Sequence, residues 1–305
     1  MANENLAGRT IAGYRLLERV GEGGTAEVYR AEHPEHGRCA FKVLRPRLRG
    51  DPTAVKRFLR EASYGARVHH TGVVRTYDYG EADGLYYLAL EWAGGQSLAD
   101  FLHQNAPIAP ELCAGIVTQL AAGLAAAHQV GIVHRDLKPE NIVYDRGTHV
   151  TKLLDFGIAR DAELPPEERL TRTGFFVGTL QYVAPEALSG ELVDARADIY
   201  SLATIAYYML TTHHPFSGRN PRELFQQLLK ESPVRMSEAA PERRFPAGLE
   251  AAVMRGLSRD PAHRQTTVTA FAEELGAGAV GGGSAPASGP GLLGAFRKLM
   301  GGKKE

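Results

Sequence analysis

Cysteine is scarce in this chain, and its scarcity excludes two kinds of site. Only Cys39 and Cys113 occur in 305 residues, too few for a disulfide framework and too far apart for the spacing of zinc ligands. Two reduced thiols are typical of a cytosolic protein, so we expect a cytoplasmic location. Net charge is also lacking, because 35 basic residues balance 35 acidic ones. That balance argues against nucleic-acid binding through bulk charge.

Long hydrophobic segments are missing as well. The longest apolar run, Ile199–Leu210, is too short to cross a membrane. The first residues, MANENLAGRTIAGY, have no basic region followed by an apolar region, so they do not resemble a signal peptide. We therefore expect no transmembrane segment. With 44% hydrophobic and 23% charged residues, the chain has the composition of a globular protein with a sizeable core.

The hydrophobic pattern divides the chain into two regions. Up to about residue 92, five strand-like runs are separated by glycine-bearing turns, and one helical stripe begins after Asp51. After Gly94 and Gly95 the pattern is mainly helical. We predict an α+β fold of two lobes, with a five-stranded antiparallel sheet plus one helix in residues 14–92 and a helical lobe in residues 96–275. The five runs are YRLLERVG, AEVYRAEH, RCAFKVL, VVRTYDYG and LYYLALEW.

The C-terminal residues have a different composition. Residues 276–291 read GAGAVGGGSAPASGPG, which predicts a flexible linker. In residues 292–305 the apolar side chains share one helical face and the basic ones lie off it, as in a short basic amphipathic helix. Two interpretations are open for this tail. It is either a frayed extension, which its shortness favours, or a weak anchor on an anionic membrane surface or a partner groove.

Two features of the first lobe suggest phosphate chemistry. In VGEGGTAEVY (residues 20–29), glycines let the backbone approach a ligand and offer N–H groups to phosphate oxygens, although ordinary hairpin turns share this pattern. Lys42 shares one face of a strand with Ala40 and Leu44, so its ammonium group needs an anionic partner or must reach water. Glu61, on the following helix, is the candidate partner.

Further polar residues are concentrated between apolar edges in GIVHRDLKPENIVYD (residues 131–145). Asp136 can orient a hydroxyl group, Lys138 can neutralise phosphate charge and Asn141 can offer an oxygen to a cation. In KLLDFGIAR, Asp155 follows a strand-like run and precedes a glycine, which suits a carboxylate ligand for a hard metal ion.

Together these segments have the order and spacing of the protein-kinase signature, and VAPE follows at residues 183–186. From residue 14 to 275 the chain resembles the serine/threonine protein kinases, in particular the bacterial receptor-type (Hanks-type) enzymes. DLKPEN and GTLQYVAPE resemble the serine/threonine form. The resemblance implies transfer of the ATP γ-phosphoryl group to serine or threonine hydroxyls of protein substrates.

The resemblance also implies a role for individual residues. Those expected to contact ATP are Gly21, Glu22, Gly23, Gly24, Val28, Ala40, Lys42, Glu91, Ala93 and Val143. Those expected to take part in transfer are Asp136, Lys138, Lys42 and Glu61. Those expected to bind Mg²⁺, with Mn²⁺ as an alternative, are Asn141 and Asp155. Supporting residues are expected to be the gatekeeper Leu90, Thr179 beside Asp136, Asp198 bound to the backbone at residues 134–135, and Glu186 paired with Arg264.

Regulation is expected in the loop between Asp155 and Glu186. Thr171 and Thr173 lie two residues apart there, and the resemblance makes them candidate autophosphorylation sites. A phosphate on either threonine could pair with Arg135 and order the loop. The alternative is that both are ordinary solvated threonines.

Three positions depart from the family pattern, and none removes a catalytic group. Ala26 and Ala203 replace glycines, and Gly65 stands where a larger apolar residue often packs. Two other functions agree less well with the sequence. A kinase-like scaffold typically lacks Lys42, Asp136 or Asp155, and all three are present. A small-molecule kinase of the same fold is disfavoured by GTLQYVAPE. The oligomeric state and the physiological substrates do not follow from the sequence.

Overall fold

The computed structural model describes residues 5–154, 180–189 and 193–280. Asp155, Thr171, Thr173 and Thr179 lie outside the described residues, and so does the predicted tail, residues 292–305.

The first lobe is an antiparallel sheet of six strands rather than the five predicted. The additional strand, β1, contains only Thr10–Ile11 and pairs with the first residues of β2. A strand of two residues is too short to show an alternating hydrophobic pattern. It is recognised by its pairing with β2 and could not be predicted from the sequence. The strands lie in the order β1-β2-β3-β4-β6-β5. Their bounds are β2 Tyr14–Glu22, β3 Ala26–His33, β4 Gly37–Leu44, β5 Thr76–Ala82 and β6 Leu85–Glu91.

The predicted strand VVRTYDYG is divided between the two lobes. Strand β5 begins at Thr76 rather than Val73. Val73 instead forms a parallel bridge with Leu153. The N–H of Val74 also bonds to the carbonyl of Leu153, at 2.9 Å. The first residues of the run therefore attach to the second lobe before the chain enters the sheet.

The two faces of the first sheet are covered differently. One face packs with the N-terminal segment into an apolar cluster that includes Leu6, Ile11 and Phe41. Helix α1, Pro52–Gly65, covers part of the other face. Asp51 caps this helix as predicted, because its carboxylate accepts the N–H of Thr53 at 2.9 Å. Side chains alternate between the two faces of a strand, so the position of a residue along its strand decides whether it faces this helix.

The second lobe is mainly helical, as predicted. It also contains a small sheet of three strands, β7 Gln96–Ser97, β8 Ile142–Asp145 and β9 Val150–Leu153. The helices, numbered along the described residues, are α2 Leu98–Asn105, α3 Pro110–Gln129, α4 Pro185–Ser189, α5 Arg196–Thr211, α6 Pro221–Lys230, α7 Met236–Ala239, α8 Ala247–Gly256 and α9 Val268–Val280. Short 3₁₀ turns cover Pro46–Leu48, Pro139–Asn141 and Pro261–His263. Helix α5 is the central helix of this lobe, with nearly every side chain buried.

Among the described helices, α3 is the one long and apolar enough to span a membrane. Its residues Ile116, Leu120 and Leu124 are buried in the core of the second lobe. The apolar character of α3 is accounted for by that packing, because a core helix passes the same test of length and hydropathy.

The predicted start of the flexible linker, at residue 276, is wrong. Helix α9 continues to Val280. A Cβ atom added to Gly278 would lie 2.4 Å from the backbone nitrogen of Leu249. The glycine is therefore required by close contact between α8 and α9. Composition alone does not distinguish such a contact from a flexible segment.

Candidate active site

Lys42 and Glu61 form the ion pair that the sequence predicted. The Lys42 Nζ lies 3.4 Å from Glu61 Oε1, and the two side chains are only 13% and 22% exposed. Strand pairing places Val28 opposite Lys42 on one side and Leu88 opposite it on the other. Helix α1 places Glu61 above this row because its buried residues Phe58 and Ala62 face the sheet.

A small cavity of about 20 Å³ lies behind the ion pair. Leu90, the expected gatekeeper, is part of its wall. The other lining residues are Glu61, Ala62, Gly65, Val74, Thr76, Leu88 and Leu154. Gly65 contributes no side chain where the family usually has a larger one, and a Cβ atom there would lie 3.2 Å from Thr76 Oγ1. The departure at Gly65 therefore leaves α1 less tightly packed at its C-terminal end.

The glycine loop, residues 21–25, joins β2 to β3. Its tip is closed by a hydrogen bond from Gly23 N–H to the Ala26 carbonyl, at 2.8 Å. Gly21 lies opposite Val28, in the same row as Lys42. The loop therefore lies at the end of the strands that carry Val28 and Lys42.

The catalytic turn, residues 134–141, brings three predicted residues together. Lys138 Nζ lies 3.1 Å from Asp136 Oδ2. Asn141 donates its side-chain amide to the carbonyl of Asp136 at 2.8 Å and to its carboxylate at 3.0 Å. This orientation turns the amide oxygen of Asn141 away from Asp136, where it can serve as a metal ligand. Leu154, the residue before Asp155, donates its N–H to the carbonyl of Asn141 at 2.9 Å.

Asp198 on α5 holds this turn, as expected. Its carboxylate accepts the backbone N–H groups of His134 at 2.9 Å and Arg135 at 3.0 Å. Arg135 has φ +63, a left-handed conformation that costs free energy for a residue with a side chain. His128 also contacts Asp198, with 2.8 Å between Nε2 and Oδ2. The contact of His128 was not predicted, because this residue lies on α3, 70 residues before Asp198.

Glu186 and Arg264 form the predicted ion pair. The two guanidinium nitrogens lie 2.7 and 2.8 Å from the two carboxylate oxygens. Both side chains are almost fully buried. Arg264 also lies over the ring of Tyr200, at 5.0 Å from the ring centroid. Because both charges are satisfied, the pair holds α4 against the rest of the second lobe. Loss of either partner would leave an unpaired buried charge.

The predicted adenine-contacting residues lie where the two lobes join. Glu91 ends β6, and its carboxylate contacts Lys152 on β9 and accepts the N–H of Arg75 at 3.2 Å. Val143 lies on β8 opposite Ser97. The connection itself passes very close to β8: Gly95 has φ +105, and a Cβ atom there would lie 2.4 Å from the carbonyl oxygen of Tyr144. Glycine is therefore required at this crossing.

Two titratable side chains in the second lobe, Tyr182 and His214, have shifted pKa values. Burial, with Glu140 as a further cause, raises the pKa of the Tyr182 hydroxyl above its usual range. Burial, with a smaller contribution from His213, lowers the pKa of His214 to about 4. The His214 ring stacks on Tyr208 at 4.8 Å between centroids and meets Tyr182 edge-on at 5.4 Å. Both groups are therefore neutral near pH 7.

The chain is similar in sequence to known proteins. The protein kinase domain family matches residues 14–275. The serine/threonine-protein kinase PknB of Mycolicibacterium smegmatis is 38% identical over 271 residues, which are 86% of this chain and 42% of that protein. The serine/threonine-protein kinase pkn3 of Myxococcus xanthus is 35% identical, over 89% of this chain and 51% of that protein. The chain thus spans about half or less of the length of these relatives.

A solved structure agrees with the sequence relatives. The crystal structure of the Mycobacterium tuberculosis PknI kinase domain superimposes with a TM-score of 0.68 at 30% identity, covering 91% of this chain and all of that one. The fold described above is accordingly that of a protein kinase domain. The chain belongs to the protein kinase family and is similar to the bacterial Hanks-type serine/threonine kinases.

Proposed function

We propose that this protein transfers the γ-phosphoryl group of ATP to serine or threonine hydroxyls of protein substrates. The observation that carries the proposal is the Asp136 carboxylate, which lies between Lys138 and Asn141 and is still 17% exposed. A substrate hydroxyl can therefore reach it. Similarity to PknB and pkn3 supports the same chemistry.

Each residue would act by position and charge, because phosphoryl transfer needs little covalent help from protein groups. Asp136 would orient the attacking hydroxyl and accept its proton. Lys138 would neutralise charge on the γ-phosphoryl group, and Lys42, held by Glu61, would bind the α- and β-phosphates. N–H groups of the glycine loop would cover the phosphates. Val28, Ala40 and Val143 would enclose the adenine, with the backbone of Glu91 and Ala93 at its edge.

A divalent cation fits the residues near the catalytic turn. The amide oxygen of Asn141 and the carboxylate of Asp155 are hard oxygen ligands of the kind that Mg²⁺ and Mn²⁺ accept. Bound there, the cation would neutralise phosphate charge during transfer. Of the two metals we propose Mg²⁺. The kinase domain would act in the cytosol, consistent with its two free, buried cysteines.

Asp136→Asn tests the proposed transfer. The variant keeps the size of the side chain but loses the carboxylate that accepts the proton, so we expect transfer to fall by about 10² to 10⁴. The assay is Mg²⁺-dependent incorporation of γ-labelled phosphate into the chain or a basic model protein. Asp145→Asn, the same change in the β8–β9 turn, is the matched control. Wild-type transfer by Asp136→Asn, or no transfer by the native chain, would contradict the proposal.

We also propose that the enzyme autophosphorylates on Thr171 or Thr173. Support comes from Arg135, whose Nε atom is buried without a hydrogen-bond partner in the described part of the chain. A phosphate would supply that partner and add nearly two negative charges. Peptide mapping after incubation with ATP should find the phosphate. Absence of phosphate at both positions, or full activity after replacing both threonines by alanine, would contradict this hypothesis.

A further inference from the structure

Two arginines bind the backbone carbonyl groups of the glycine loop. Both belong to the segment that follows β4. The guanidinium group of Arg45 donates to the carbonyl of Gly23 at 3.2 Å, and its backbone N–H donates to the carbonyl of Thr25 at 3.0 Å. The guanidinium group of Arg47 donates to the carbonyl of Gly24 at 2.7 Å. Three successive carbonyl groups at the loop tip are therefore held by one segment.

These bonds determine where the loop N–H groups point. In a trans peptide unit the N–H lies opposite the C=O. When the carbonyls of Gly23 and Gly24 are turned toward the arginines, the N–H groups of Gly24 and Thr25 are turned away from them. Glycine rotates easily between such orientations, and Gly24 has open space around its Cα, with no heavy atom within 4 Å of an added Cβ. Without the arginines, little else in the described structure would fix these two peptide units.

Arg45 also controls an unfavourable charge. Glu22 lies at the root of the loop, where a carboxylate would repel a triphosphate. Its carboxylate contacts the guanidinium of Arg45 and lies 3.0 Å from that of Arg19. The Arg45 side chain is only 21% exposed. Removing it would release a carbonyl and also leave Glu22 less well neutralised.

We infer that Arg45 and Arg47 are positioning residues that aim the N–H groups of the glycine loop at the phosphates of ATP. The inference rests on the proposed phosphate-binding role of this loop. Arginine suits the task because its planar guanidinium group binds a carbonyl and a carboxylate together. The residues do not touch the reacting atoms, so their effect should appear in nucleotide affinity and in KM for ATP more than in kcat.

The test compares ligands with and without phosphates. Arg45→Gln, Arg47→Gln and the double variant of the full chain are titrated calorimetrically with ATP, ADP and adenosine. Each single substitution should weaken ATP and ADP binding by about three- to tenfold, the effect of one lost hydrogen bond to a charged donor. Adenosine affinity should stay unchanged, because adenosine has no phosphate for the loop to bind.

Arg49→Gln is the matched control. It removes the same charge from the same segment, but the Arg49 guanidinium donates to the carbonyl of Leu44, at 3.1 Å, rather than to the loop. It should bind all three ligands as the native chain does. The inference is overturned if the double variant keeps native affinity for ATP, or if ATP and adenosine weaken equally. If the native chain binds adenosine as tightly as ATP, the phosphate role of the loop fails with it.

Discussion

At the residue scale, Lys42 shows how a charged side chain can lie on the face of a sheet that a helix covers. Its ammonium group lies against Glu61 and keeps limited contact with solvent. The attraction within the pair is offset by the cost of removing both charges from water, so the pair contributes little net stability. Its value therefore lies in holding a cation at a fixed place on the strand.

Lys42→Met should consequently separate activity from stability. We expect transfer to fall by about 10² or more, because a charge that stabilises the transition state is lost. The free energy of unfolding should change by no more than about 1 kcal/mol, since methionine packs in the same space. Transfer assays and urea unfolding measure the two quantities. Lys56→Met, an exposed position on the same helix as Glu61, should alter neither. Near-native turnover by Lys42→Met would contradict the assigned role.

His214 gives the second prediction at this scale, a dependence of stability on pH. Burial lowers its pKa to about 4 in the folded protein, against 6.5 as the ordinary value. Between these values the unfolded chain binds a proton that the folded chain does not. Stability therefore falls as the pH decreases from 6.5 toward 4, by up to about 3 kcal/mol from this group.

His214→Phe should reduce that loss, because phenylalanine keeps the ring stacked on Tyr208 and does not titrate. Urea unfolding at pH 7 and pH 4.5 should show the native chain losing about 2 to 3 kcal/mol more than the variant. His263→Phe, at a side chain that is 76% exposed, serves as the control and should behave like the native chain. Equal losses in all three proteins would show that His214 is not the group responsible.

At the scale of elements, the C-terminal end of helix α1 borders a small cavity. Gly65 ends the helix beside the small cavity, and an added Cβ atom would lie 3.2 Å from Thr76 Oγ1. Two effects therefore compete when a methyl group is added. Helix propensity favours alanine over glycine by about 1 kcal/mol, and the contact with Thr76 opposes it.

We expect Gly65→Ala to stabilise the protein by about 0.5 kcal/mol, because Thr76 can move by the few tenths of an ångström required. In a Thr76→Ala background the gain should be larger, since the opposing contact is absent. Thermal unfolding of the native chain, Gly65→Ala, Thr76→Ala and the double variant measures the gain in helix propensity and the cost of the contact with Thr76. A destabilised Gly65→Ala in the Thr76→Ala background would show that the glycine has a conformational role.

The elements also show what the sequence could and could not predict. Periodicity located α1 and the mainly helical second lobe, and the cap residue Asp51 located the start of α1. The family resemblance predicted the contacts of Lys42, Asp198 and Arg264. Strand β1 was missed because two residues carry no period. His128 and Arg45 were missed because a contact made across the fold leaves no local pattern in the chain.

At the scale of the whole molecule, the two lobes are joined by more than the peptide connection. Glu91 links β6 to Lys152 on β9, and Arg67, just after α1, donates to the carbonyl of Val130 after α3 at 2.9 Å. These contacts join the two lobes at two separate places. They limit how far the lobes can turn relative to each other without breaking charged hydrogen bonds.

The C-terminal end of α9 predicts how far the chain can be shortened without loss of stability. A chain that stops after Val280 should unfold at the native temperature. A chain that stops after Leu275 should lose about 1 to 3 kcal/mol, because Gly278 and the buried Ala279 no longer cover α8. Calorimetric melting of the two truncated proteins checks this. Equal melting temperatures would mean that residues 276–280 add nothing to the folded unit.

Asp198 has a consequence for hydrogen exchange. The amide protons of His134 and Arg135 are bound to a carboxylate that is itself fully buried on the central helix. Neither amide can reach water until α5 separates from the turn, and that requires the core of the second lobe to open. Their exchange rates should therefore equal those of the slowest amides in α5, even though Asp136 and Lys138 in the same turn are partly exposed. The proposed catalytic centre would then persist in solution for as long as the second lobe stays folded.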